Sequence, residues 1–324
     1  MECLEMSDSE SFLSAALRGL RGTPRAIPPK YLYDQLGSSL FEEICRQPEY
    51  YPTRTEIAIL RSNIGEISAG FPEKGLLIEL GSGASVKTEI LLDALVAEGK
   101  IGAYLPFDIS RDFLVDASKR LQKKYPGLRI LPIWGDFTAE VRLPGAFSGI
   151  PERTAGQCLA FLPGSTLGNF DPPDALRMLR SVGKIADRFL IGIDLEKDPD
   201  VLEAAYNDAA GITARFNKNL LTRLAREGGA RLDPEDFFHE AFYRDSMRRI
   251  EMHLVAQKRV RMRIGEEEFR LSPGETIHTE NSYKYTLSGF ESLARHAGFD
   301  ASRRWSDPKG WFAVFLLEIG QRCS

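Results

Sequence analysis

Between residues 76 and 193, short apolar runs recur with room for one amphipathic helix between most neighbours, and this alternation restricts the fold more than any other feature. Strands are expected at residues 76–80, 103–107, 128–133, 158–162 and 189–193, with helices at 88–97, 111–124 and 173–186. Continuous apolar runs, rather than alternating ones, mark strands buried on both faces, as in a parallel sheet whose crossovers are helices. The expected class is therefore α/β with a doubly wound, Rossmann-like sheet. Such a sheet takes its ligand outside the carboxyl ends of the strands, where chemistry is to be sought.

The flanks have a different texture. Phe12, Leu13, Ala16 and Leu17 fall on one helical face, residues 38–46 form a second amphipathic stretch, and Thr53-Arg54-Thr55-Glu56 has the form of a capping box opening a helix that carries Ile57, Ile59, Leu60 and Ile64. Past Leu195, a helical pair at 201–209 and 212–226 precedes strand formers at 237–243, 249–256, 259–264 and 276–282, then a helix at 287–296 and an apolar strand at 311–319. The expected organisation is an N-terminal helical cap and part of a substrate domain (1–70), a cofactor-binding sheet (71–195), a second α+β subdomain (196–290) and a helix and strand returning to the core (291–324).

A net charge of -4, from 42 Lys+Arg against 46 Asp+Glu, lacks the basic footprint of a general nucleic-acid binder and favours a small-molecule partner. Cys3, Cys45, Cys158 and Cys323 are too scattered for a disulfide framework and read as reduced thiols. The acidic N-terminus has no apolar segment behind it and no run spans a bilayer, so a cytoplasmic protein without membrane partners is expected. His239, His253, His278 and His296 show no ligand spacing, and no metal is expected. A monomer is expected.

The run Leu76-Leu77-Ile78-Glu79-Leu80-Gly81-Ser82-Gly83 is a buried strand ending in an acid-x-Gly-x-Gly turn before a helix. Glycines admit a ligand close to the backbone, and the helix start offers unpaired amides. A tight strand-to-helix turn would look the same. Val86 stands where a dinucleotide fingerprint wants glycine or alanine, which weighs against NAD. Asp108 closes the second strand, where it suits ribose hydroxyls or a helix cap, and Asp136-Phe137 follows the third, where the acid suits an adenine amine or a turn. This order resembles the class I methyltransferases that use S-adenosylmethionine. Neither a GxSxG nor a Walker sequence is present, in keeping with chemistry that needs no protein nucleophile.

Four longer segments narrow the resemblance: Pro29-Lys30-Tyr31-Leu32-Tyr33-Asp34, Pro48-Glu49-Tyr50-Tyr51-Pro52 with the capping-box residues after it, Phe161-Leu162-Pro163-Gly164-Ser165-Thr166-Leu167-Gly168-Asn169-Phe170, and Thr279-Glu280-Asn281-Ser282-Tyr283-Lys284-Tyr285. Together they resemble the histidine Nα-methyltransferases of ergothioneine biosynthesis over nearly the whole chain. The resemblance implies a class I methyltransferase sheet joined to a substrate-binding subdomain, and three methylations of the α-amine of L-histidine to give hercynine. It implies Tyr50 and Asn169 as catalytic residues at the amine, and Asn169 with Tyr206 on the α-amino and carboxylate groups. It further implies Glu280 and Ser282 on the imidazole, Tyr33 near the amine, and Phe216 and Met252 bordering the pocket. Gly81, Lys87, Asp108, Asp136, Phe137, Gly164 and Ser165 match the cofactor contacts. Read without the family, Glu280 and Ser282 stand two apart on a strand and share a face, suited either to an imidazole's unlike edges or to solvent. The tyrosines equally suit a core. Other readings are a methyltransferase for another amino acid or small amine, a nicotinamide-dependent oxidoreductase, or a non-catalytic adenosylmethionine-binding module.

Overall fold

The computed structural model describes residues 3–5, 10–138 and 157–320, so Cys323 lies outside the described residues. In chain order the elements are β1 (Leu4–Glu5), α1 (Phe12–Arg21), α2 (Gln35–Ile44), α3 (Tyr51–Ala69), β2 (Gly75–Leu80), α4 (Val86–Ala97), β3 (Ile101–Asp108), α5 (Arg111–Lys124), β4 (Arg129–Ile130), β5 (Ile133–Trp134), β6 (Cys158–Leu162), α6 (Pro172–Val182), β7 (Arg188–Asp194), α7 (Pro199–Tyr206), α8 (Ile212–Gly228), β8 (Phe237–Arg244), β9 (Arg249–Ala256), β10 (Val260–Ile264), β11 (Glu267–Leu271), β12 (Thr276–Tyr283), α9 (Leu287–Ala297), β13 (Phe299–Ser306) and β14 (Phe312–Ile319). They form two compact units, one of Met1–Ser7, Pro52–Glu196 and Lys284–Ser324, the other of Asp8–Tyr51 and Lys197–Tyr283. No helix among the described residues is long and apolar enough to cross a membrane.

The first unit holds the Rossmann-like sheet expected from the apolar runs, in the order β1-β5-β3-β2-β6-β7-β14-β13 with β4 beside β3. Strands up to β7 pair in parallel, while β14 enters antiparallel and pairs with β13. Successive residues of β2 feed opposite layers. Leu76, Ile78 and Leu80 pack with Ala175, Met178 and Leu179 of α6 and Phe290 of α9, whereas Leu77 packs with Ile59 and Leu60 of α3 and Leu91 and Leu92 of α4. The order reverses at β2, whose neighbours β3 and β6 carry the chain in opposite directions. That reversal opens a crevice at the carboxyl ends.

Several boundaries differ from the sequence expectation. The third strand is broken into β4 and β5 because Pro132 has no N–H to continue the ladder. On α1 the buried face is Phe12, Ala15, Ala16 and Leu20, with Leu13 and Leu17 only half-buried. Helix α3 starts at Tyr51, ahead of Pro52, so Glu56 sits inside the helix and the Thr53–Glu56 capping box does not form. Most of that helix belongs to the first unit rather than to an N-terminal cap of 1–70, because Ile59, Leu60 and Ile67 pack on the sheet. Strand β13 carries five exposed residues in succession and gave no apolar signal, and β11 was likewise unforeseen.

In the second unit, β12, β9 and β8 form an antiparallel sheet and β10 and β11 a hairpin. Arg261 and Arg263 on that hairpin are exposed, a solvated basic face. Helix α8 lies against α2, β8 and β9.

In the first unit Lys284 Nζ sits 2.9 Å from Asp194 Oδ2, with side chains 0% and 1% exposed. Removing one partner of a buried pair leaves an uncompensated charge. Lys284→Met is expected to lower the unfolding free energy by about 3–5 kcal/mol, read from the denaturant midpoint at constant slope.

Candidate active site

The residues expected to hold a cofactor gather at the carboxyl ends of β2, β3, β5 and β6. At the end of β2, Gly81 takes φ +73°, a left-handed conformation that favours glycine, and a Cβ there would only just touch the Phe137 ring at 3.4 Å. Phe137 is buried and meets Phe107 edge-on with ring centroids 6.0 Å apart. Asp108 Oδ2 accepts from the Gly83 N–H and Oδ1 from the Ser110 N–H, both at 2.9 Å, so the acid both caps the approach to α5 and ties β3 to the glycine turn. Burial pushes its pKa up against these backbone donors. Asp136 Oδ1 accepts from the Thr138 N–H at 2.8 Å, the geometry of a turn aspartate. Ser165, at φ +57°, accepts from the Asp194 N–H at 2.8 Å through Oγ. Asn169 ends a 3-10 turn, Thr166–Asn169, and is half-buried. The cap position of α6 belongs to Asp171.

Two acids in this region, quoted in the sequence motifs, are not among the expected site residues. Glu56 is fully buried, and its Oε2 accepts from the Gly164 N–H at 2.8 Å and lies 2.5 Å from Lys87 Nζ. Its Oε1 faces Gly192, where a Cβ would approach to 2.0 Å, so glycine is required in β7 for the carboxylate to enter. The signal was present but pointed to a helix cap. Glu79, the acid of the glycine motif, is 1% exposed and accepts from the hydroxyls of Thr88 and Tyr104. Burial above all pushes its pKa to about 8. Beside them the Ser82 hydroxyl is buried with no hydrogen-bond partner among the described residues.

The second unit brings the other expected residues together. Tyr33 packs edge-on against Phe41 and Phe216, at 5.5 and 5.4 Å between centroids. Phe41 meets Tyr50 at 6.1 Å, and Tyr50 meets Tyr206 at 6.3 Å. The Tyr206 hydroxyl donates to Ser282 Oγ at 2.7 Å. Glu280 sits opposite Met252 across β12 and β9, and Glu280, Ser282 and Met252 are all buried. Burial raises the Tyr50 pKa well above its ordinary value, reinforced by Tyr206, Cys45, Tyr33 and Glu280, so the phenol stays protonated near neutrality.

Behind Tyr206 stands a pair with no motif of its own. His239 Nε2 lies 2.8 Å from the Tyr206 carbonyl, which can only accept, so Nε2 carries the proton and Nδ1 accepts from Asn217 Nδ2 at 2.9 Å. Burial lowers the pKa of His239, in keeping with a neutral ring. His253 and His278 lie on the sheet with ring centroids 5.0 Å apart. Among the described residues no group of three His, Cys, Asp or Glu could hold a metal ion.

Residues 12–319 match the family described as histidine-specific methyltransferase, SAM-dependent. The histidine N-alpha-methyltransferase of Mycobacterium tuberculosis is 39% identical over 303 residues, covering 92% of this chain and 92% of its own length. The enzyme of that name from Mycolicibacterium smegmatis is 37% identical over 315 residues, covering 96% and 95%. Ergothioneine biosynthesis protein 1 of Neurospora crassa is 32% identical over 307 residues, which make up 87% of this chain and 32% of that one.

The raised pKa of Glu79 has a consequence for stability. The unfolded chain releases this proton near 4.5 and the folded one near 8, so between them the folded state holds more protons and stability falls as pH rises. Thermal unfolding between pH 5 and pH 8 is expected to show a shallower decline for Glu79→Gln than for the parent. Parallel curves would mean that Glu79 ionises normally in the folded chain.

Proposed function

The chain belongs to the family of histidine-specific, S-adenosylmethionine-dependent methyltransferases, and from that premise we propose that it methylates the α-amine of L-histidine three times, giving hercynine for ergothioneine biosynthesis. It is an S-adenosylmethionine-dependent N-methyltransferase with the class I sheet, and its cofactor is S-adenosylmethionine. The observation that carries the substrate reading is the burial of Glu280 and Ser282 on the Met252 side of β12. A carboxylate accepts from one imidazole nitrogen, and a hydroxyl donates to the other. Ser282 Oγ also accepts from the Tyr206 hydroxyl, which ties the two residues together. Asn169 and Tyr206 are assigned to the α-amino and carboxylate groups, Tyr33 to the neighbourhood of the amine, and Phe216 and Met252 to the pocket wall.

The cofactor end fits its ligand. A missing Cβ at Gly81 and the unpartnered Ser82 hydroxyl leave room and a polar atom at the turn. Gly81, Lys87, Asp108, Asp136, Phe137, Gly164 and Ser165 are assigned to hold it. Bound there, it supplies an electrophilic sulfonium methyl. The protein's share is to orient the amine for in-line attack and to exclude competing nucleophiles. An ammonium has no lone pair, so the amine must lose a proton before each transfer. Tyr50, kept neutral by burial, accepts from the amine through its hydroxyl oxygen and steers the lone pair, with the proton passing to water.

Mass spectrometry of an amino-acid panel with S-adenosylmethionine tests the reading directly: histidine is expected to gain three methyl groups, while tryptophan and tyrosine gain none. Trimethylation of another amino acid in preference to histidine would overturn it. Glu280→Ala is expected to weaken histidine binding at unchanged S-adenosylhomocysteine affinity, and Asp108→Ala to do the reverse, each by roughly 10- to 150-fold for the loss of a hydrogen bond to a charged group.

A second expectation concerns Tyr50. Activity should rise with pH through the mildly alkaline range, because an α-amine titrates near or above roughly 8. Tyr50→Phe should slow transfer and let mono- and dimethylated histidine accumulate, followed by time-resolved mass spectrometry. The parent's rate and intermediates in that variant would reduce Tyr50 to a packing residue.

A further inference from the structure

Strand β12 does not keep one register. Ile277 pairs with Leu254 and His278 with His253, but Glu280 then pairs with Met252 and Ser282 with Ile250, so Thr279 is one residue extra, a β-bulge. The consequence follows from the two-residue period of a strand. Leu254, Met252 and Ile250 share one face of β9, and Ile277 lies on that face of β12. Unbroken alternation from Ile277 would bring Thr279 and Asn281 to it and turn Glu280 and Ser282 to the other side. With the bulge, Glu280 and Ser282 stand there instead.

Two side chains close the irregularity. Thr279, 1% exposed, donates from Oγ1 to the Met252 carbonyl at 3.0 Å, at the point where the ladder slips. His278 Nε2 lies 3.0 Å from the Glu280 carbonyl, which can only accept, so the ring donates across the bulge from the other side. The His278 backbone is held on its far edge, its N–H donating to the Arg25 carbonyl and its C=O accepting from the Ile27 N–H, both at 2.9 Å. A strand pinned on both edges beside its extra residue has little freedom to slide back.

We propose that the Thr279 bulge, closed by the Thr279 hydroxyl and the His278 ring, sets which side chains of β12 face the substrate, making Thr279 and His278 positioning residues for recognition of the imidazole. The inference rests on the assignment of Glu280 and Ser282 to the imidazole. Thr279→Val keeps the side chain's shape and its preference for strands but leaves the buried Met252 carbonyl without its donor. Thr279→Ser restores the hydroxyl. His278→Phe keeps a ring beside His253 and removes the donor to Glu280, and it serves if the valine variant does not fold.

Calorimetry with L-histidine in the presence of S-adenosylhomocysteine, and with S-adenosylhomocysteine alone, separates the two ends of the site. Thr279→Val and His278→Phe should each weaken histidine binding by about ten-fold, the scale of one unsatisfied buried acceptor, and raise KM for histidine more than they lower kcat. S-adenosylhomocysteine affinity should not change, and Thr279→Ser should bind histidine within about two-fold of the parent. Parent-like histidine affinity in both Thr279→Val and His278→Phe, alongside a weakened Glu280→Ala, overturns the positioning role alone. Parent-like affinity in Glu280→Ala removes the imidazole assignment and this inference with it.

Discussion

An acidic side chain sealed away from water must find its hydrogen-bond partners within the protein, and the first unit is organised by that requirement. Glu56, Glu79 and Asp194 are at most 1% exposed and Asp108 is nearly as deep. Each draws donors or a cation from a separate stretch of chain: Glu56 from Gly164 and Lys87, Glu79 from Thr88 and Tyr104, Asp108 from Gly83 and Ser110, Asp194 from Lys284. The elements joined in this way are the carboxyl-terminal ends of the sheet strands and the turns and helices that follow or cover them. Loops that would otherwise be the softest part of an α/β fold are thereby fixed, and these are the loops a ligand at the reversal point would meet. Burying charge is costly, and replacing such pairs by apolar residues often stabilises a protein. Their presence at this edge is better understood as placement of backbone amides than as a source of stability.

The second unit meets a different constraint. In a three-stranded antiparallel sheet each residue is committed to one face or the other, and β9 alternates Ile250, Met252 and Leu254 on one side with Arg249, Glu251 and His253 on the other. The second set is a structural polar cluster: Glu251, bonded to Arg244, Arg249 and His253, has its pKa drawn down to about 2 in spite of burial. The first is apolar except where Glu280 and Ser282 join it. Two acids one strand apart therefore stand on opposite faces, Glu251 neutralised by guanidinium groups and Glu280 opposite Met252.

How much of this could be read from the sequence depended on how local the cause was. The parallel strands are visible because a strand buried on both faces must be apolar throughout, and the glycine turn because φ +73° at position 81 favours glycine. Strand β13 carries no apolar signal because an edge strand exposed to solvent carries polar residues, and the third apolar run is longer than the strand it marks because Pro132 breaks the ladder. Glu56 reads locally as a capping-box residue, since a capping box and a buried acceptor for a distant amide use the same residue in the same short motif. Neither His239 behind Tyr206 nor the slip at Thr279 had any local mark. Both depend on pairings between segments far apart in the chain, which no periodicity reports.

That division bears on how specificity arises here. When the electrophile arrives with the cofactor, the residues that accommodate it solve a general problem, and a glycine turn followed by acids at successive strand ends is a general solution that many substrates could share. What distinguishes histidine from another amino acid is a ring with one N–H and one bare nitrogen, and it takes only an acceptor and a donor on one buried face to test for both. Two residues of a strand suffice, provided their register is fixed, because sliding the strand by one position exchanges the whole set for its neighbours. The cofactor end is therefore written in a long and recognisable motif. On the proposed assignment of Glu280 and Ser282, the substrate end is written in two side chains and in the hydrogen bonds that keep their strand from moving.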